Sequence, residues 1–261
     1  MANALGAPLR VVPQYHDRVW GGSRLRGRVG VGEVWLAGEA NRVLGGPYHD
    51  RTLGELAREH PSDLLGPAWD GSSGFPLLAK ILDVADWLSV QVHPDDELAR
   101  ELEGADARGK TEVWHILEAN HGAEMLLGLR NGLNSAVFEA AIGSPRLPHC
   151  LERHFLESGE MVLVPASVPH ALGPGALVYE LQQHSDITYR GYDWGREGRP
   201  LHPTQFRRAS LSHTSPYLAG QPRIEGGPVL QCNHFRLERV VGNQRRSSLG
   251  EKPVQFEIVT L

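Results

Sequence analysis

The sequence contains few cysteines, and it lacks both a long apolar run and a large excess of charge of one sign. Cys150 and Cys232 are its only cysteines, so it cannot build a disulfide framework, and a reducing cytoplasm is the predicted location. The first residues, MANALGAPLR, lack the basic and apolar segments of a signal peptide. The longest apolar region, residues 75–92, is interrupted by one lysine and two aspartates, which argues against a membrane-spanning helix.

The overall charge is slightly negative. A net charge of −5 and a pI of about 6.2 argue against nucleic acid or an anionic membrane as the main partner, although they leave room for a local basic pocket. The 261 residues can form one large domain or two small ones around a substantial core. The 30 glycines and 18 prolines show no repeat and therefore predict many turns between short strands.

Strand patterns outnumber helix patterns along the chain. Short helices are predicted from Thr52 to the residue before Pro61, over 95–103 and over 134–142, where Val137, Phe138, Ala141 and Ile142 should face inward. Strands are predicted over 33–36, 77–82, 88–93, 113–118, 124–128, 161–164, 177–182, 235–241 and 254–261. The predicted fold class is mainly β, a sandwich or barrel with a few short inserted helices.

The strand LSVQVH, residues 88–93, has one polar face. Leu88, Val90 and Val92 alternate with polar residues, so Ser89, Gln91 and His93 should point to the same side of the sheet. Pro94 then ends the strand before the predicted helix. A solvated face is the simpler explanation for such a pattern when the strand is considered alone.

Two further segments offer residues that could join His93. Glu112 follows Lys110 in GKTEVWHIL, and His170 follows a turn that Pro165 and Pro169 make rigid. His93, Glu112 and His170, with the amide oxygen of Gln91, would make a nitrogen and oxygen ligand set suited to Zn, Mn, Fe, Co or Ni. The spacing alone is weak evidence, because a chain with 13 histidines often contains such a trio.

Longer motifs carry a family resemblance. These motifs are the segment LVYELQQHSDITYRGYDWGR at 177–196 together with QVHPDD, GKTEVW and PHALGPG. Through them the chain resembles the type I mannose-6-phosphate isomerases in their short bacterial form, a cupin family. The segments 19–25 and 31–35 fit the same family, and the resemblance runs from about residue 13 to the end. It implies a cupin-type jelly roll with one divalent ion, zinc being favoured. It also implies ligands at Gln91, His93, Glu112 and His170, and an active-site arginine at Arg190.

The resemblance implies interconversion of mannose 6-phosphate and fructose 6-phosphate through an enediolate. Arg190 would stabilise the developing oxyanion, and Glu180 and Lys110 are the two candidates for moving the proton. Equally, Glu180 could orient a substrate hydroxyl and Lys110 could pair with a carboxylate. Ser89 and Lys80 are predicted to bind the substrate at its phosphate. Two other functions stay open, a metal cupin that acts on a different sugar or small molecule, and a sugar-binding cupin without turnover.

The sequence departs from the family pattern in two places. His184 stands where the family usually has Asn, and a plain polar substitution is favoured over an extra weak metal ligand. The chain also stops inside an alternating strand, so we expect residues 1–225 to form the metal-binding cupin core, with a helical insertion near 131–143. Residues 226–261 would begin a second, truncated β lobe. Its unpaired edge strand, 254–261, predicts self-association into a homo-oligomer or modest stability.

Overall fold

Two antiparallel β-sheets form the framework of the fold in the computed structural model, which describes residues 8–67, 69, 71–72, 74–211, 224–225, 229–238 and 258. Its strands are β1 Gln14–Gly22, β2 Val31–Ala37, β3 Leu77–Asp83, β4 Val90–Val92, β5 Glu112–Ala119, β6 Glu124–Leu129, β7 Leu151–Phe155, β8 Met161–Val164, β9 His170–Leu172, β10 Ala176–Gln183, β11 Tyr189–Tyr192, β12 Ile224–Glu225, β13 Val229–Gln231 and β14 Arg236–Glu238. The larger sheet has the order β1-β2-β3-β10-β5-β8-β12, and the second has the order β11-β4-β9-β6-β7. Strands β13 and β14 form a separate hairpin.

The helices are short, as predicted. They are α1 Leu53–Glu59, α2 Pro61–Leu64, α3 Asp96–Glu103, α4 Ser135–Ala141 and α5 Pro203–Leu211, with one 3₁₀ helix at Leu147–Cys150. Thr52 and Glu55 form a capping box at the predicted start of α1, and Asp95 and Asn134 cap α3 and α4 with their side chains. None of the helices in the described ranges is long and apolar enough to cross a membrane.

The inner faces of the two sheets share one apolar core. Alternation along the strands points Trp114 and Ile116 of β5, Val178 of β10 and Met125 and Leu127 of β6 into this core. A second cluster fills the outer side of the smaller sheet, where α3, α4 and α5 cover β4 and β11. Because both faces of the central strands are covered, polar side chains inside the sandwich are buried rather than solvated. The cupin-type, mainly β fold predicted from the sequence is confirmed.

The observed elements differ from the sequence expectations in several places. Strand β4 covers only Val90–Val92, and the prediction missed β1, the longest described strand. Val137 is 57% exposed, so its predicted inward orientation is wrong: the narrow buried face of α4 consists of Phe138 and Ala141, which lie three residues apart. Of the predicted strand 254–261 only residue 258 lies within the described residues, so the edge strand and its self-association stay predictions. The division at residue 225 is likewise a prediction.

Helix α5 is held against the smaller sheet by Phe206. This side chain is fully buried, its ring centroid lies 6.1 Å from that of Phe138, and it contacts the strand that carries Arg190. Replacing it with alanine should lower the free energy of unfolding by about 3–5 kcal/mol, because both burial and packing are lost. Urea unfolding measures this loss.

The matched control is Val137→Ala, which removes an exposed apolar side chain from α4 and should change stability by no more than about 0.5 kcal/mol. A Phe206→Ala protein as stable as this control would show that α5 does not support the sheet.

Candidate metal centre and surrounding pocket

Three buried side chains from separate strands meet inside the sandwich. His93 follows β4 directly, Glu112 begins β5 and His170 begins β9, and their ligand atoms all lie within 4.8 Å of one another. A tight turn brings the two histidines together, since the Ser167 N–H donates to the His93 carbonyl at 2.7 Å. Ser167 has a φ of 67°, a left-handed conformation that this turn requires. The polar face of the 88–93 strand therefore faces the sandwich interior and not solvent.

Hydrogen bonds fix the tautomer of both histidines. The Nδ1 atoms of His93 and His170 lie 2.8 and 2.9 Å from the carbonyl oxygens of Ile187 and Val168. A carbonyl only accepts, so each Nδ1 donates its proton and each Nε2 presents a lone pair to Glu112. Burial lowers the pKa of both rings, that of His93 to about 3, and the nearby Lys110 ammonium adds to the effect. Both imidazoles are neutral at neutral pH, the form that binds metal.

Glu112 supplies a negative charge to this group. Burial opposes ionisation, but the Lys110 ammonium, 2.8 Å from Oε1, outweighs it and holds the pKa of Glu112 well below its usual range. The other oxygen, Oε2, is buried and finds no hydrogen-bond partner among the described residues. Two imidazole lone pairs and an unpartnered carboxylate oxygen form a ligand set that fits a divalent metal ion.

Gln91 lies beside the three ligands. Its register partner across β4 and β9 is His170, and its Nε2 is 3.3 Å from Nε2 of that histidine. The Ser89 hydroxyl donates to the Gln91 Oε1 at 3.0 Å, and this hydrogen bond orients the Gln91 amide. Metal ligation by Gln91 requires a half-turn of the amide, after which Nε2 would donate to Ser89. Its role as fourth ligand stays a prediction.

A buried ion pair lies next to the metal-binding group. Lys80 of β3 and Glu180 of β10 are opposite each other in register, and their charged atoms are 2.7 Å apart. Burial and the charge of Glu112 raise the pKa of Glu180 despite the two nearby lysines. Burial disfavours the charged form of Lys80, but Glu180, Glu33 and Glu112 together outweigh it and raise its pKa. A carboxyl group with a raised pKa is suited to proton transfer near neutral pH.

The charged side chains of Lys80, Glu180, Lys110 and Glu112 form a polar wall inside the sandwich. Strands β1 and β2 extend this polar wall with residues that were not predicted from the sequence. Arg18 and the Trp35 indole both donate to Oε2 of Glu33 at 2.8 Å, and the His16 ring packs 4.3 Å from Trp35. Burial alone would raise the pKa of Glu33, but Lys80 and Arg18 lower it to about 2. The alternation His16, Arg18, Trp20, with exposed residues between them, was the available signal.

Arg190 is held by its backbone on the strand that borders Gln91. It pairs with Gln91 across β11 and β4, so both side chains lie on the same side of the sheet. His202 fixes it twice, since its N–H donates to the Arg190 carbonyl at 2.8 Å and its Nδ1 accepts the Arg190 N–H at 3.1 Å. The buried Nε of Arg190 has no hydrogen-bond partner within the described ranges.

His184 does not join the metal-binding group. Its N–H donates to the Pro76 carbonyl, and its ring lies near Gly38. The metal-binding group among the described residues consists of His93, Glu112 and His170 alone. The two lysines predicted for the site, Lys80 and Lys110, both lie in the polar wall, whereas the Ser89 hydroxyl is bonded to Gln91.

A two-sheet cupin sandwich with a buried His–Glu–His group defines a metal-binding cupin. Residues 9–139 match the family model described as phosphomannose isomerase type I, catalytic domain. The chain belongs to this family, and the resemblance found in its sequence is confirmed.

Curated and solved relatives agree with this assignment. The chain is 39% identical over 204 residues to the mannose-6-phosphate isomerase of Streptococcus mutans, a match that covers 74% of this chain and 63% of the relative. The chain thus spans less than two thirds of that relative's length. The crystal structure of mannose 6-phosphate isomerase from Bacillus subtilis has a TM-score of 0.73 and 35% identity, covering 82% of this chain and 71% of the other. A zinc-bound mannose 6-phosphate isomerase shares the fold, with a TM-score of 0.60, 16% identity, and coverage of 77% and 74%.

The low pKa of Glu33 predicts how stability depends on pH. A carboxylate whose pKa is 4.5 when unfolded and about 2 when folded stabilises the fold above pH 4.5, and this contribution is lost as the pH falls toward 2. Between pH 6 and pH 3, the wild type should lose about 2 kcal/mol more than Glu33→Gln. Urea unfolding with a chelator present measures the difference without interference from metal.

Asp17→Asn is the matched control, because Asp17 lies on the neighbouring strand β1 and pairs with Arg28 at the exposed surface. It should follow the wild type across this pH range. Parallel stability curves for wild type and Glu33→Gln would show that the Glu33 contacts do not favour its ionised form.

Proposed function

We propose that this protein is a metal-dependent aldose–ketose isomerase that interconverts mannose 6-phosphate and fructose 6-phosphate. The observation that carries the proposal is the buried group of His93, Glu112 and His170, which lies beside a lysine–glutamate pair in a member of this family. The named relatives are mannose-6-phosphate isomerases, and their names are the basis for proposing this sugar phosphate as the substrate. A small sugar phosphate as partner and a cytoplasmic location belong to the same proposal.

His93, Glu112 and His170 would hold one divalent ion, with Gln91 as a fourth ligand. Zinc suits the two imidazoles and the carboxylate. When bound, such an ion supplies Lewis acidity at the sugar's carbonyl and hydroxyl oxygens, which lowers the cost of removing the adjacent C–H proton. Neutral Nε2 atoms and an ionised Glu112 need no proton loss before they bind metal at pH 7.

The isomerisation needs a group that moves a proton between C1 and C2. Glu180 supports this role by its raised pKa and its position in the polar wall, and Lys110 by its place 3.4 Å from His93 Nε2. One proton would leave one carbon to the base and return to the other, while a second proton passes from the hydroxyl oxygen to the carbonyl oxygen, so the enzyme ends each turnover unchanged. Substitution of each residue alone separates the base from the group that only orients a hydroxyl.

Arg190 would stabilise the negative charge that develops on the enediolate oxygens. Its guanidinium keeps its proton at any relevant pH and is planar, so it can meet two oxygens at once. The double hydrogen bond between its backbone and His202 holds the strand position that such a role requires. Ser89 and Lys80 are proposed to assist substrate binding, Ser89 by orienting Gln91 and Lys80 through its pair with Glu180.

A coupled assay tests the function directly. Protein of measured metal content should convert mannose 6-phosphate to fructose 6-phosphate and back, and should turn over other hexose phosphates far more slowly. A protein that accepted a different sugar but neither of these two would be a metal cupin of another function. Binding without turnover would identify a sugar-binding cupin.

Metal removal should abolish activity, and zinc should restore it. One ion per chain should bind to the wild type, whereas His170→Ala should lose most of its bound metal because one of the three ligands is gone. Metal analysis after dialysis measures both. His149→Ala, which changes a histidine of the 3₁₀ helix, serves as control and should retain one ion. Full metal content in His170→Ala would reject the site.

Removal of the Arg190 guanidinium should lower kcat. Arg190→Ala should fold, keep its metal and lose at least ~100-fold in kcat, as expected when one oxyanion-stabilising donor is removed, while substrate binding weakens much less. Arg190→Lys keeps the positive charge but loses the planar guanidinium, so its kcat should lie between those of the wild type and Arg190→Ala. Steady-state kinetics with fructose 6-phosphate measure these changes.

Arg207→Ala is the control, because it removes an arginine that pairs with Glu139 at the surface. A change in KM alone for Arg190→Ala would make Arg190 a substrate anchor and not a catalytic residue.

A further inference from the structure

Positively charged side chains gather where the edge strands of the two sheets meet. Strand β1 ends the larger sheet and β11 ends the smaller one. The two regions are linked, since the Trp20 carbonyl accepts the N–H of Ala85 and Asp86, and Asp86 pairs with Arg196 in the segment after β11. Arg18 from β1 and Arg190, Arg196 and Arg199 from β11 and the segment that follows it therefore lie at one end of the sandwich.

These arginines are only partly neutralised. Arg18 pairs with Glu33 at 2.8 Å, whereas Arg196 and Arg199 share the single buried carboxylate of Asp193, each at 3.0 Å. Arg190 has no carboxylate partner among the described residues. Burial lowers the pKa of Arg199 and Asp193 opposes this, but the positive charges of Arg190, Arg196 and Arg18 lower it further. Like charges held close together are costly unless an anion binds between them.

Two of these side chains are within reach of a ligand. The side chains of Arg18 and Arg199 are 34% and 22% exposed. Arg199 bonds Asp193 through Nη1 alone, whereas Arg18 bonds Glu33 through Nη2 and the exposed Asp17 carbonyl through Nη1 at 3.1 Å. Arg196 is different, because its second amine is bonded to Asp86 and to the Trp87 carbonyl at 2.7 Å. Its donors are occupied by the protein itself.

The polar wall connects Arg18 to the proposed reaction centre. Glu33 holds Arg18 and also acts on Lys80, and Lys80 pairs with Glu180 beside Glu112. A hexose 6-phosphate has its reacting carbons and its phosphate at opposite ends. A sugar with C1 and C2 at the Glu112 end of this wall would direct its phosphate toward the arginines.

We propose that Arg18 and Arg199 bind the phosphate group of the substrate, a role that rests on the isomerase function proposed above. A guanidinium matches a phosphate dianion with two parallel N–H donors, which makes arginine well suited to this contact. The sequence predicted Lys80 and Ser89 for this role. In the structure the Lys80 ammonium pairs with Glu180, and the Ser89 hydroxyl donates to Gln91. Arg18 and Arg199 are thus specificity-determining residues for a phosphorylated sugar.

Steady-state kinetics on the metal-loaded full chain test this assignment. Arg18→Gln and Arg199→Gln should each raise the KM for mannose 6-phosphate by about 10-fold or more, with kcat within about 3-fold of wild type. Arg18→Lys and Arg199→Lys keep the ion pairs with Glu33 and Asp193 and should show smaller increases, which guards against variants that fold poorly. Arg196→Gln is the matched control, since it loses a contact to the same Asp193, and its KM should not change.

Calorimetric binding of fructose 6-phosphate and of unphosphorylated fructose separates this inference from the isomerase function. The wild type should bind the phosphorylated sugar more tightly, and this preference should shrink in both glutamine variants even if no turnover is detected. An unchanged preference, an equal loss in Arg196→Gln, or a loss confined to Lys80→Met would overturn the assignment to Arg18 and Arg199. Turnover by the wild type would still support the isomerase function in each case.

Discussion

The buried carboxylate of Glu112 is the constraint on which the rest of the pocket depends. An ionised carboxylate inside a protein is stable only when partners replace the water that it has lost. Here the Lys110 ammonium and two imidazole rings surround it, yet one of its oxygens keeps no hydrogen-bond partner within the described chain. This free carboxylate oxygen, beside the two imidazole lone pairs, offers a ligand atom to a metal cation.

The cupin sandwich can hold this charge because its central strands are buried on both faces. Helix α1 and its neighbours cover the outer side of the larger sheet, and α3, α4 and α5 cover the outer side of the smaller one. Alternation then decides which residues point into the interior: Trp114 and Ile116 continue the face that begins with Glu112. One strand thus supplies a charged ligand at its start and apolar core residues further along.

Much of the pocket could be predicted from the sequence because its residues lie in long local motifs. The polar face of Gln91 and His93, the Pro-rich turn before His170 and the pair Lys110 and Glu112 were each visible over a few residues. The short helices were predicted for the same reason, since capping residues such as Thr52 act within one turn. Such local signals can be interpreted without knowing which strand or helix packs against the segment.

The missed residues depend on contacts between distant segments. Arg18 and Glu33 belong to strands whose pairing is set by the whole sheet, and β1 lacks the apolar alternation that marks a strand, because three of its inward residues are Gln14, His16 and Arg18. Arg190 also depends on a distant contact, since His202 holds its backbone from a segment twelve residues further along the chain. For the same reason, the prediction that Val137 faces inward was wrong: helical periodicity does not say how wide a face the neighbouring elements will cover.

The charges along the polar wall explain why a metal and a phosphate suit the same pocket. Positive and negative groups alternate along this wall in the order Arg18, Glu33, Lys80, Glu180, with Lys110 and Glu112 beyond them. Each charge is partly neutralised by its neighbours, which makes their burial tolerable, but the two ends differ. The end near Glu112 has an unsatisfied carboxylate oxygen, whereas the end near Arg18 has more guanidinium groups than carboxylates. On the two proposals above, a divalent cation completes the first end and a phosphate dianion the second. Opposite charges added to a shared low-dielectric interior attract each other, so each ligand favours the binding of the other.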